Sequence, residues 1–146
     1  MRIAIISPWN PWPVDSGSRQ RADLIIRGLA ASHDVFVIYG LQQPDHAIPE
    51  LNQHPQTVAQ FLTFRWPRGE PVVTTADVLR KPGIDVRPRD IQRMHPCIPD
   101  LSGPLATFKP DVILALEADG ALIAASQHSV QSFPMVVDQW EPSRIV

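Results

Sequence analysis

Two apolar runs, each too short to be a buried helix and almost unbroken by polar residues, limit what this chain can fold into. Arg2 to Ser7 (Arg-Ile-Ala-Ile-Ile-Ser) and Asp34 to Tyr39 (Asp-Val-Phe-Val-Ile-Tyr) read as strands covered on both faces. Such strands belong to parallel sheets, where consecutive members need a crossover connection. The intervening residues supply one. From Arg19 onward Ala22, Ile25, Ile26, Leu29 and Ala30 recur at helical spacing, while Arg19, Gln20, Asp23 and Arg27 fall on the other side. Pro8, Pro11 and Pro13 forbid regular structure ahead of that helix and make a stiff loop to about Gly17. Asp15, Ser16 or Ser18 is placed to cap the helix by accepting from the first-turn amides. Gly28 either weakens its interior or lets it pack closely on the sheet, and His33 is placed to cap its far end. The whole is a βαβ unit with a right-handed crossover.

The end of the chain repeats the pattern. Asp111 to Leu116 reads as a buried strand, Asp119 to Val130 as a helix with Leu122, Ile123 and Ser126 on one side, and Met135 to Asp138 as a further strand introduced by Pro134. Between the two units, Ala59 to Trp66 alternates more and predicts a strand nearer an edge. Residues 67–100 are rich in proline, with helical pieces at Thr75 to Arg80 and Arg89 to His95. Ser102 to Phe108 reads as a helical turn stopped by Lys109-Pro110. The prediction is an α/β fold: an open, parallel, Rossmann-like sheet ordered 3-2-1-4-5. No helix pattern follows Asp138 to cover the last strand, so 1–146 reads as an incomplete domain of something larger, with pairing of two chains through that strand as one outcome.

Charge narrows the function classes. Thirteen basic and 15 acidic residues leave a net charge of −2, so no bulk field attracts nucleic acid or an acidic membrane, and any anion site is local. Cys97 is the only cysteine, which excludes an internal disulfide, fits a cytoplasmic protein and reads as structural. The opening apolar run is too short for a signal peptide and no stretch has the length of a membrane span; a peripheral membrane contact stays compatible with the sequence. The five histidines (His33, His46, His54, His95 and His128) show no metal spacing, so no metal or cofactor is expected.

In an open parallel sheet, ligands bind beyond the carboxyl ends of the strands, where strand order reverses. Three segments arrive there. Asp15-Ser16-Gly17-Ser18-Arg19-Gln20-Arg21 places a glycine, two hydroxyls and two arginines at a helix start. Free amides and the helix dipole there favour an anion, to which Arg19 and Arg21 can add charge-assisted bonds; a turn with solvated arginines is the equal alternative. The segment is neither a GxGxxG fingerprint nor a P-loop, which argues against dinucleotide and ATP readings. The second segment, Glu117-Ala118-Asp119-Gly120, offers carboxylates for sugar hydroxyls, with capping of the next helix the favoured role for Asp119. The third sets Asp138 and Glu141 beside Trp140, an aromatic flanked by acids that suits carbohydrate and equally reads as an orphaned core residue. Trp9 and Trp12, between prolines, either pack over the loop or line an acceptor groove, with packing favoured.

In this order and spacing the segments resemble the N-terminal domain of retaining GT-B glycosyltransferases of the family 4-like, group 1 type. The resemblance rests on Met1-Arg2-Ile3-Ala4-Ile5-Ile6-Ser7 with Pro11, Pro13 and Asp15-Ser16-Gly17-Ser18-Arg19, on Leu29-Ala30 with His33-Asp34-Val35, on Phe108-Lys109-Pro110-Asp111-Val112-Ile113, and on Pro134-Met135-Val136-Val137-Asp138. It covers about residues 1–40 and 105–146. It implies an acceptor-side domain that works with a donor-binding C-terminal domain, commonly without a bound metal. A sugar would pass from a nucleotide-diphosphate sugar to a saccharide or lipid-linked acceptor. Ser16 and Gly17 would lie near the donor diphosphate or the acceptor, with Arg19 and Arg21 extrapolated from their position. Many members carry a histidine just past the fifth strand. Here that place holds Trp140, so no catalytic histidine carries over, and Asp138 and Glu141 are the acids beside it. The expected substrate-binding set is Ser16, Gly17, Arg19, Arg21, Glu117 and Trp140, and the domain is expected to be inactive alone. The alternative is a non-catalytic flavodoxin-like or receiver-like binding module. An epimerase or mutase reading is disfavoured by the missing glycine fingerprint.

Overall fold

A computed structural model of the chain describes residues 1–12, 14–41, 58, 60–65 and 100–138. Among these residues five strands form one all-parallel sheet: β1 (Arg2–Ser7), β2 (Asp34–Leu41), β3 (Gln60–Arg65), β4 (Val112–Leu116) and β5 (Met135–Asp138). Their order is β3-β2-β1-β4-β5, so the sheet is Rossmann-like, with β3 at one edge as its alternating sequence predicts. Helix α1 (Gly17–Ala30) connects β1 to β2. Helix α2 (Ser102–Phe108) precedes β4, and helix α3 (Glu117–Ser126), followed by a 3-10 turn at His128–Ser132, connects β4 to β5.

The unbroken apolar runs follow from coverage on both faces. Ile3 and Ile5 of β1, Val35, Val37 and Tyr39 of β2, and Leu116 of β4 pack with Ala22 and Ile26 of α1. The alternate residues Ala4, Ile6, Phe36, Ile38, Ile113 and Ala115 pack on the other face with Leu105 and Phe108 of α2 and Ile123 and Ala124 of α3. Every position of β1 from Ile3 to Ile6 is therefore at most 4% exposed. Burying each isoleucine stabilises the fold by about 1.5–3 kcal/mol. The coverage stops at β5, where Met135, Val136 and Val137 are 42%, 56% and 42% exposed. Residue Val136 pairs with Leu114 and shares its side of the sheet. An apolar groove lies there, lined by Leu24, Ile25, Gly28 and Leu29 of α1 and by Leu114 and Val136.

Several local expectations are corrected. Asp23 does not join the solvated side of α1; it is 9% exposed and accepts a hydrogen bond from the buried Trp12 indole, Nε1 to Oδ1 at 2.8 Å. The proline-rich loop folds back over the helix and provides Asp23 with a partner, which overrides its polarity. Gly28 makes no close approach to the sheet, since nothing lies within 4 Å of where a Cβ would stand. The His33 side chain caps nothing: its Nδ1 is buried without a hydrogen-bond partner among the described residues, and its backbone N–H closes the helix on the Leu29 carbonyl at 2.9 Å.

Helix α3 begins two residues before the expected Asp119, so that residue is not its cap. The cap position falls on Leu116, which has no side-chain acceptor. The chain passes from strand to helix with no loop because Glu117 adopts a left-handed φ of 63°. At the other end α3 stops at Ser126, short of Val130, where Gln127 turns extended and its Oε1 accepts from the Leu101 amide at 3.2 Å. The expected helical pieces at 75–80 and 89–95, and the residues Cys97, His46, His54 and His95, lie outside the described residues. No described helix is long and apolar enough to cross a membrane.

Candidate functional site

The carboxyl ends of β1, β4 and β5 meet at the point where strand order reverses, between β1 and β4. After β1 the chain is tied to itself. The buried Ser7 hydroxyl donates to the Trp9 carbonyl at 2.6 Å, and the Trp12 amide donates to Asn10 Oδ1 at 3.0 Å. The Trp12 ring, 1% exposed, meets Tyr39 edge-on at 5.9 Å and fixes the loop to Asp23, whose other oxygen accepts from Arg27 Nε at 2.7 Å. Trp12 is therefore a packing residue. Trp9 is half-buried; it packs against the same cluster and also lines a cleft.

That loop delivers Asp15, Ser16 and Gly17 to the start of α1. Of the three expected caps Ser16 is the one used: its backbone is extended and its hydroxyl accepts from the Arg19 amide at 3.4 Å. Gly17, the first helical residue, faces open space. Both arginines meet carboxylates. Arg19 Nη1 donates to the two Asp15 oxygens at 3.1 and 3.0 Å. Arg21 reaches across to the end of β5, where its Nε donates to Asp138 Oδ2 at 3.0 Å and its Nη2 donates to Asp138 Oδ1. The bond to Asp138, opposed by desolvation and joined by the fields of Asp138 and Glu117, holds the Arg21 guanidinium more firmly protonated than usual. An anion at this rim meets two arginines whose charge is already matched.

Glu117 stands at the end of β4 within the field of Arg21, and its positive φ is a strained conformation for a side chain of this kind. Three residues on, Gly120 packs against β1: a Cβ there would stand 2.8 Å from the Ile6 carbonyl oxygen and 3.4 Å from Pro8. This contact brings the start of α3 against the loop after β1. Asp119 also makes interactions within the fold.

Of the residues expected to handle substrate, Ser16, Gly17, Arg19, Arg21, Glu117 and Asp138 all lie along this rim, in two groups: Ser16, Gly17 and Arg19 with Asp15, and Arg21 with Asp138 and Glu117. Trp140 and Glu141 lie outside the described residues. The bonds that pair each arginine joined no sequence motif. Asp15 stands four residues before Arg19, just ahead of the helix, whereas nothing local connects Arg21 to Asp138, 117 positions away. Trp9, for which packing is the favoured sequence reading, does pack against the core cluster and also lines a cleft of about 370 Å³ with Asp15, Ser16, Ser18 and Arg19. Among the described residues no three His, Cys, Asp or Glu side chains gather as a metal site would require.

No protein-family model matches the chain, and no curated protein or solved structure matches it either.

Proposed function

We propose that the chain is the acceptor-side domain of a retaining GT-B glycosyltransferase. In this reading it serves transfer from a nucleotide-diphosphate sugar to a saccharide or lipid-linked acceptor, and does not transfer alone. The observation that supports it most is the meeting of the Ser16–Gly17 helix start with the end of β5, through Arg21 and Asp138, beside the reversal of strand order. That is where an open parallel sheet receives a ligand. Catalysis of this class needs donor and acceptor held against each other, and one sheet rim supplies a single wall of such a cleft. The strand order also bears on the alternative. A flavodoxin-like or receiver-like module has order 2-1-3-4-5, whereas here β1 sits between β2 and β4.

The test is titration of the isotopically labelled chain with UDP-glucose and GDP-mannose, followed by amide chemical shifts and an assay for sugar transfer. Weak shifts confined to Ser16, Gly17, Arg21 and Glu117, with no transfer, are the expected outcome. Submicromolar donor affinity, transfer by the chain alone, or no response at that rim would overturn the proposal.

A further inference from the structure

We propose that the cleft beneath Trp9 is a saccharide subsite, which takes a neutral pyranose ring on the indole face and a pair of adjacent hydroxyls on Asp15. The inference deepens the transferase reading and rests on it: of the two groups at this rim, it assigns the Trp9 cleft to the acceptor. A helix start carrying two arginines would by itself attract an anion. Here Asp15 sits on Arg19 and Asp138 on Arg21, so the built site is close to neutral. A phosphate would meet a carboxylate beside each arginine and gain little net attraction. A sugar hydroxyl needs no net charge, because it donates to the carboxylate and accepts from N–H or O–H groups in turn.

The cleft walls match that chemistry. Asp15 lines the cleft with its side chain 58% exposed, while Arg19, 19% exposed, donates to both of its oxygens and holds the carboxylate in place. The Ser16 and Ser18 hydroxyls line the same space. Trp9 contributes an apolar surface suited to sugar C–H groups. It is held in advance: part of the ring packs against the cluster under α1, and the Ser7 hydroxyl and Pro8 fix its backbone. A platform ordered before the ligand arrives spares the binding step that entropy. The volume of about 370 Å³ suits a small ligand, since such pockets start at about 300 Å³.

The experiment follows the tryptophan indole N–H signals of the labelled chain during separate titrations with methyl β-glucopyranoside, methyl α-mannopyranoside, N-acetylglucosamine and inorganic phosphate. At least one pyranoside is expected to move the Trp9 indole and the Ser16 and Arg19 amides, while the buried Trp12 indole stays still and phosphate moves none of them. Trp9→Phe keeps binding, and Trp9→Ala weakens it by about tenfold. If Trp9→Ala does not fold, Asp15→Ala provides the second reading, with the same loss expected. A Trp9 signal indifferent to all three sugars, a response to phosphate alone, or full affinity in Trp9→Ala or Asp15→Ala would overturn the subsite. The two proposals fail separately. Donor-induced shifts at Arg21 and Glu117 without a sugar response at Trp9 would remove only the subsite. A sugar response at Trp9 with no donor response would remove the transferase reading.

Discussion

Tyr39 shows how one position reports on the packing around it. It lies 1% exposed between β1 and the Trp12 ring, and burial pushes its phenol up to about 12, from an ordinary value near 10. The folded state thus holds the phenolic proton more tightly than the unfolded chain does. Stability from this group is complete below pH about 10 and is lost as pH rises through about 12, a decline of about 2–3 kcal/mol. Tyr39 is the only tyrosine, so tyrosinate absorbance follows it alone. The expected midpoint is near pH 12 in the folded protein, with Tyr39→Phe flattening the alkaline fall in denaturation midpoint. A midpoint at the ordinary value would mean that the ring is open to water. Asp23 illustrates the same dependence on partners: polar by type, it is buried because the loop brings it the Trp12 indole.

Among the elements, two glycines that look alike in sequence have opposite roles. Gly28 lies inside α1 with open space around it, so Gly28→Ala should raise stability by about 0.5–1 kcal/mol through better helix propensity. Gly120 lies inside α3 against the Ile6 carbonyl, so Gly120→Ala should lower stability by about 1–3 kcal/mol through overpacking. Urea denaturation of both variants checks the pair, and equal effects would refute the close contact. The contrast shows where sequence reading ends. The strands were legible because burial on both faces leaves an unbroken apolar run, and α1 because its inward residues repeat at 3.6. Gly28 and Gly120 were not distinguishable, since the difference lies in what another strand places beside each. The same holds for the start of α3, where Glu117 turns the chain by a strained φ that no sequence rule anticipates. At the site, Ser16, Gly17 and the arginines were readable as a group at a helix start. Their charge state was not, because Asp138 arrives from the far end of the chain.

At the scale of the molecule the sheet is covered unevenly. The β1 and β2 strands are shielded on both sides, while β5 shows Met135, Val136 and Val137 to solvent. A residue this open is expected to accept a charge: Val136→Lys should change stability by no more than about 0.5 kcal/mol, measured by thermal and urea unfolding. A loss of several kcal/mol would show that other parts of the chain cover the strand. The uneven cover also separates two kinds of surface, a polar rim across the strand ends and an apolar groove beside α1.

The bond between Arg21 and Asp138 joins positions 117 apart. It can close only after the sheet has been assembled from both directions around β1. Contacts that distant in sequence are slow to form, because much chain must be ordered before they contribute. The pair is therefore expected to engage late, as a latch on a sheet already formed. A probe on either side chain would time the arrival of the second half of the fold against the first.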